Sequence, residues 1–300
     1  MGLTKGYSLS SMLSEIVFGS AGFIGTNYLT LSAQRNIKII EVPNQASFHN
    51  FISHSSDFGL YDMPNVIWLS GKVSSNSDPI KNKGLFDWDL SSLEQTLILL
   101  HDLDWSGRFV LISSGGCVYR DMERPIKESD NLLPNNAYGD LKLRQENLLL
   151  SSGLAFSILR VSNVFGPKRS SSNGQNVIEN WITSYKSGHV CKVYGYPESY
   201  RDYINVVDVA SAIMRSLESS MNNSILNIGS GLKTTLGELM GFFNEATFNT
   251  AKFHFEDFRS SDRLGYVLNI DKARNEIDWS PKKSNHRDIF AFLSKELKNV

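Results

Sequence analysis

The segment that leaves this chain the fewest folds is Gly19-Ser20-Ala21-Gly22-Phe23-Ile24-Gly25, set between a β-type run at Glu15 to Phe18 and a helical pattern at Gly22 to Gln34. A glycine loop that follows a strand and opens a helix is the context in which backbone N–H groups cradle a pyrophosphate. In that arrangement Gly19 makes the tight turn, Gly22 lets the backbone approach the phosphates, and Gly25 lets the helix pack closely on the strand. Ile24, Tyr28 and Leu31 fall at i, i+4 and i+7, which supports the helix, and Ile37 to Val42 reads as the next strand. Three glycines in a short window also occur in ordinary turns; the flanking strand and helix separate the two readings. The spacing is GxxGxxG rather than GxGxxG. Glu41, near the end of the second strand, is placed to hold the adenosine ribose hydroxyls, and no arginine follows that strand to meet a 2′-phosphate. The cofactor expected is therefore NAD rather than NADP, although Glu41 also reads as a solvated strand end.

Apolar β-rich runs alternate with helical patterns through the first two thirds of the chain, the signature of βαβ units and a parallel sheet. Asn65 to Leu69, Phe109 to Ser113 and Ala155 to Val161 are further buried strand candidates. Tyr138 to Leu150 is helical in pattern and stops at Gly153. Tyr203 to Val207 is strand-like and precedes a helix with Val209, Ile213 and Leu217 on one face, and Leu226 to Ile228 is a short strand. Thr235 with Glu238 makes a capping box that opens another helix. The polar stretches Ser170 to Asn176 and Pro197 to Tyr200 read as loops near a ligand mouth.

Thirty basic against 31 acidic side chains give no electrostatic footprint for nucleic acid or an anionic membrane, so a small ligand is expected instead. Cys117 and Cys191 are the only cysteines, too few for a disulfide framework and in keeping with a reducing compartment. The six histidines show no metal-ligand spacing. Without a long apolar run, and with a polar start from Met1 to Ser14 that lacks a signal-peptide core, the expected location is cytoplasmic.

Tyr138 and Lys142 lie four residues apart on a helix, so their side chains share a face. A lysine ammonium and an oxidised nicotinamide nearby favour the phenolate that proton transfer needs, and Lys142 is also placed to grip the nicotinamide ribose. A solvent-facing Tyr/Lys pair is the ordinary alternative. The order of motifs separates them: the glycine loop, then Ser113-Ser114-Gly115-Gly116-Cys117-Val118-Tyr119, then Tyr138-Gly-Asp-Leu-Lys142. Downstream come Leu159-Arg160-Val161-Ser162-Asn163-Val164-Phe165-Gly166-Pro167, Arg201-Asp202-Tyr203-Ile204-Asn205-Val206, Asn227-Ile228-Gly229-Ser230-Gly231 and Trp279-Ser280-Pro281. From about Glu15 onward the chain resembles the extended short-chain dehydrogenase/reductases, specifically the nucleotide-sugar epimerase/dehydratase family, and within it the UDP-glucose 4-epimerases.

The resemblance implies an α/β fold: a Rossmann doubly wound parallel sheet with a smaller, discontinuous C-terminal substrate lobe. Residues 13–162, with 201–228 returning to them, would form the NAD-binding domain, and residues 163–200 and 229–300 the lobe that closes on a nucleoside-diphosphate sugar. Tyr138 would be the general base and Lys142 its partner. Asn163 matches a substrate-contacting asparagine, and Arg201 an arginine that binds the substrate pyrophosphate; a strand-end turn and a surface ion pair with Asp202 are their ordinary readings. Arg259 fits a second phosphate-binding arginine, and Asn176 and Tyr194 sit where the family contacts the nucleobase side. A homodimer paired through the helices beside the tyrosine is also implied.

The chain departs from the family at one place. A serine or threonine that hydrogen-bonds the reacting sugar oxygen is replaced by Gly115, so the hydroxyl must come from Ser114, from substrate or water, or from the Cys117 thiol. Gly116 and Cys117 stand where dehydrating members carry Asp and Glu, so dehydration lacks its acid/base pair. Cys117 resembles the acid/base cysteine of epimerase/reductases that make deoxysugars, against the plain reading of a small inert core residue. The function expected is an NAD-dependent nucleotide-sugar 4-epimerase acting through a transient 4-keto sugar. An NAD(P)H-dependent 4-keto-sugar reductase and a non-catalytic NAD-binding sensor or scaffold are the alternatives.

Overall fold

The computed structural model describes residues 14–35, 37–53, 63–120, 122–167, 176–256 and 264–298. Strand β1 (Ser14–Phe18) buries Ile16, Val17 and Phe18 in succession, the mark of a strand covered on both faces. The chain then runs through α1 (Phe23–Ser32), β2 (Lys38–Val42), α2 (Gln45–Ser53), β3 (Asn65–Trp68), α3 (Lys83–Asp102), β4 (Arg108–Ser114), α4 (Ala137–Ser151) and β5 (Ala155–Val161). After β5 come β6 (Asn163–Phe165), α5 (Val177–Lys186), β7 (Cys191–Tyr194), β8 (Tyr200–Arg201), β9 (Tyr203–Asn205), α6 (Val206–Glu218) and β10 (Ser224–Ile228). The last elements are β11 (Thr234–Thr235), α7 (Leu236–Ala246), β12 (Phe253–Glu256), α8 (Asp271–Ile277) and α9 (His286–Leu297).

Six strands form one parallel sheet in the order β10-β5-β4-β3-β1-β2. The strand order reverses between β1 and β3, and in open α/β sheets that crevice, beyond the carboxyl ends of the strands, is where ligands bind. Period-two alternation assigns the core. Val17, Ile67, Val110 and Leu159 face α6 and its Val209 and Ile213, while Ile16, Trp68, Phe109 and Ile158 face α3 and its Leu93, Leu97 and Leu100. A third apolar cluster gathers α5, α7 and α9 with β7, built on Trp181, Phe243 and Phe253, whose rings meet edge to face at 5.0–5.9 Å.

The capping box of Thr235 and Glu238 is present at the start of α7. The strand expected over Tyr203 to Val207 stops at Asn205, because the Asn205 side chain accepts the Val207 N–H and caps α6 from Val206 onward. Among the described residues no helix is long and apolar enough to cross a membrane.

Behind β4 and β5 lies a buried ion pair. Arg160 donates to Glu146 at 2.6 Å, and Glu146 also accepts the Ser113 hydroxyl. Arg160 reaches the Tyr119 hydroxyl at 2.9 Å, which donates in turn to Asn227 at 2.7 Å. This network locks α4, the helix of the Tyr/Lys pair, onto the strands beneath it.

Candidate active site

The glycine loop takes its shape from close backbone approaches. Gly19 has φ +77°, and a Cβ there would come within 2.8 Å of the Leu69 and Ser70 backbone, so a side chain is excluded both by conformation and by space. Its N–H donates to the Val42 carbonyl at 2.8 Å, stitching the turn to β2. A Cβ on Gly25 would lie 2.4 Å from the Gly19 carbonyl oxygen and 2.6 Å from that of Ser20. The tight packing at Gly25 is thus against the carbonyls of the turn itself, rather than against the strand as the sequence suggested. Ser20 is fully buried, with its hydroxyl unpartnered among the described residues.

Ala21, Gly22, Phe23, Ile24 and the Gly19 and Gly25 positions form one wall of a cavity of about 420 Å³, with Ser114, Tyr138 and Lys142 across from them. No acidic side chain stands in the first turn of α1, so its N–H groups present an uncompensated positive end to that cavity. These features suit a dinucleotide pyrophosphate: a bare backbone at Gly22, a helix N-terminus, and walls too close for side chains. Glu41 is exposed on β2, one residue before the carbonyl that holds Gly19, and lies outside the residues that line the cavity.

Asn136 caps α4 by accepting the Gly139 N–H, which fixes the first turn carrying Tyr138. Lys142 sits one turn on, 5.7 Å from the Tyr138 ring centre, and donates to the Ile112 carbonyl and the Gln145 side chain, each at 3.1 Å. Desolvation pushes the Tyr138 phenol well above its usual range, and the nearby Cys117 and Asp89 raise it further. The same burial pulls Lys142 down, partly offset by Asp89, Glu146 and Cys117. In the protein alone, then, burial outweighs the phenolate-favouring effect expected of Lys142, and Tyr138 is held as a phenol.

A second cavity of about 620 Å³ adjoins the first, and Ser75, Cys117, Asn163 and Asn176 line both. Tyr194, Arg201 and Lys192 line the second cavity and not the first. The Asn176 side chain caps α5 by accepting the Glu179 N–H and donates to the Val164 carbonyl at 2.7 Å, so its amide is already committed to the local fold. Asn163 donates its backbone N–H to the Asp202 carbonyl at 3.0 Å. The Asp202 carboxylate turns inward: it accepts the N–H groups of Ser230, Gly231 and Leu268 and the hydroxyls of Ser162 and Ser230. Arg201, its neighbour, faces the cavity. Arg259 lies outside the described residues.

Two residues of the site gave no motif. Asp89, on α3, is buried in the wall of the first cavity and accepts the Lys72 N–H at 2.8 Å and the Val73 N–H at 3.1 Å. Its carbonyl takes the Gln145 amide at 2.9 Å, so it braces the partner of Lys142. Tyr266, past the last glycine motif, lines the second cavity beside Gly116, and its hydroxyl donates to Asn163 Oδ1 at 3.1 Å.

Known proteins resemble this chain in sequence and in fold. The dTDP-4-dehydro-6-deoxyglucose reductase of Escherichia coli is 27% identical over 291 residues, covering 89% of this chain and 92% of that protein. The UDP-glucose 4-epimerase of Lacticaseibacillus casei is 28% identical over 316 residues, covering 91% and 92%. The crystal structure of the Thermus thermophilus UDP-glucose 4-epimerase in complex with NAD superposes with a TM-score of 0.82 over 96% of this chain and 100% of that one; at 20% identity the likeness is one of fold. The model of the NAD dependent epimerase/dehydratase family matches residues 16–229. That match spans more than half of the sequence, and the chain belongs to the NAD dependent epimerase/dehydratase family, with NAD as its cofactor.

Proposed function

We propose that the chain is an NAD-dependent nucleotide-sugar 4-epimerase. The observation that carries this is the meeting of the two cavities: Tyr138 and Lys142 stand on the wall of the glycine-loop cavity close to where Cys117 and Asn163 open it into a second cavity bearing Arg201 and Lys192. Bound NAD supplies a hydride acceptor and, once reduced, a donor. Tyr138 takes the proton of the sugar C4 hydroxyl and returns it, and Lys142 holds the charge beside it. Ser114 or Cys117 hydrogen-bonds the reacting oxygen. Arg201 pairs with the diphosphate, for which a guanidinium fork is well shaped, with Arg259 as its second cation. Asn176 and Tyr194 lie toward the nucleobase side, and residues 163–200 and 229–300 form the lobe that closes on the substrate. Incubation with UDP-, dTDP-, GDP- and CDP-hexoses, followed by product analysis with and without added NADH, tests the reading; a C4 epimer formed without net NADH consumption supports it.

The reductase remains the second reading, on the strength of the similarity to the Escherichia coli enzyme. In that case Tyr138 and Lys142 act once, on a 4-keto sugar, with NADH oxidised in step. A non-catalytic sensor is disfavoured by a complete Tyr138 and Lys142 pair in the cavity wall. Two copies of the chain would pair through α3 and α4, whose outer faces expose Ile98 and Leu150.

Glu41 beside the glycine turn predicts a preference for NAD over NADP of roughly tenfold or more, about the 1.4 kcal/mol that separates a hydrogen bond to a charged group from none. Titration calorimetry with the two dinucleotides measures it. Equal affinity would remove Glu41 from the ribose site.

A further inference from the structure

Six asparagines line the second cavity, and they differ in what their amides already hold. Asn136 and Asn176 cap α4 and α5, and Asn163 accepts the Tyr266 hydroxyl. Asn76 and Asn180 are exposed to water. Asn135 stands apart: its Oδ1 is shut off from solvent and accepts no hydrogen bond, which is true of no other side-chain oxygen or nitrogen among the described residues lining this cavity. The backbone beneath it is fixed. Residues 131–135 run back along residues 117–120, with Tyr119 bridged to Leu132, and the Arg120, Leu133 and Asn135 N–H groups donate to the Asn131, Val118 and Cys117 carbonyls. Helix α4 starts two residues further on. The ladder therefore sets the Asn135 side chain beside Cys117, where the two cavities meet, and leaves its amide to turn about χ2.

A covered amide oxygen without a donor destabilises a fold, and breaches of this kind gather where a site needs them. The missing partner of Oδ1 is a donor, and an amide that offers both an acceptor and a donor suits a hydroxyl, which is both. Asn135 lines the second cavity and not the first, so that hydroxyl comes from the substrate and not from the dinucleotide. We infer that Asn135 determines sugar specificity: its amide turns to the hexose and hydrogen-bonds a hydroxyl flanking the reacting carbon, on C3 or C6. The inference rests on the nucleotide-sugar reading proposed above. Asn136, its neighbour, is barred from the same task because its Oδ1 is spent on the Gly139 N–H that starts α4.

Asn135→Leu keeps the shape of the side chain and removes both hydrogen-bonding groups, and Asn135→Ala removes them without adding bulk. Each variant of the full-length protein is assayed with a nucleotide hexose that the unaltered protein turns over, and with its 3-deoxy and 6-deoxy analogues. Both variants should lower kcat/KM for the intact hexose about tenfold, the scale of one hydrogen bond. On one of the two deoxy analogues they should act no worse than the unaltered protein, because the partner hydroxyl is already gone. The unfolding midpoint of Asn135→Leu should hold or rise, since an unbonded buried acceptor is lost, and NAD affinity should stay the same. Unaltered kcat/KM on the intact hexose overturns the inference and leaves the epimerase reading standing. An equal loss on all three sugars overturns it too, since Asn135 would then only shape the loop into α4. If the unaltered protein turns over no nucleotide hexose at all, the functional reading fails first and this inference with it.

Discussion

Replacement of Tyr138 by Phe is expected to lower turnover by roughly 10²-fold or more, the usual weight of a positioned general base. The ring occupies the first turn of α4, held by the Asn136 cap, and phenylalanine keeps that ring, so the variant should fold and bind NAD normally. Desolvation keeps the phenol protonated in the protein alone, with Cys117 and Asp89 adding to the effect. Base form therefore has to be favoured by positive charge gathered on the site: Lys142, 5.7 Å from the ring centre, and the oxidised cofactor. A turnover assay under saturating NAD and substrate, with NAD affinity measured in parallel, reads the effect. Near-normal turnover would place the chemistry on another group.

Truncation of Glu146 to Ala should destabilise the fold by about 3–5 kcal/mol, because it leaves the Arg160 guanidinium buried without its counter-charge. Both side chains are almost wholly excluded from solvent, at 3% and 2% exposure for Arg160 and Glu146. The loss spreads along the network, since Ser113 loses its acceptor and Arg160 is left with neutral acceptors, the Tyr119 hydroxyl and the Glu128 carbonyl. Joint replacement of Glu146 and Arg160 by apolar residues of similar volume should cost much less than Glu146→Ala. Urea unfolding midpoints of the three proteins test this. A cost below about 1 kcal/mol for Glu146→Ala would mean that water reaches the pair and the network does not hold α4.

The parts of the site carried by local pattern were legible in the sequence. The glycine loop could be read because its strand, turn and helix are contiguous, and the helix expected at Tyr138 to Leu150 corresponds to α4 at Ala137–Ser151. Helix α3 gave no clear signal. Its buried Leu93, Leu97 and Leu100 fall in the second half, while the first half is mixed aromatic and acidic, so Asp89 was not seen as a site residue. For Arg201, expected to bind a pyrophosphate, an ion pair with Asp202 was the ordinary alternative, yet consecutive residues of an extended segment point to opposite sides, and Asp202 goes inward to five donors. Tyr266 lies 150 residues from Gly116 in the chain, and nothing local links a bare strand end to the phenol that fills it. The absence of a hydroxyl at Gly115 was readable; the packing of Leu268 and Tyr266 over Gly115 and Gly116 required the tertiary structure.

The proposed reaction is tested most directly with a nucleotide hexose carrying deuterium at C4, incubated with the purified protein without added NADH. The 4-epimerase account predicts a C4 epimer that keeps its deuterium at C4, with no net change in NADH, because the same hydride is returned to the same carbon. No epimer from any hexose of the panel, with stoichiometric oxidation of NADH in a parallel incubation supplied with NADH and a 4-keto sugar, would contradict it and assign the chain to the reductases.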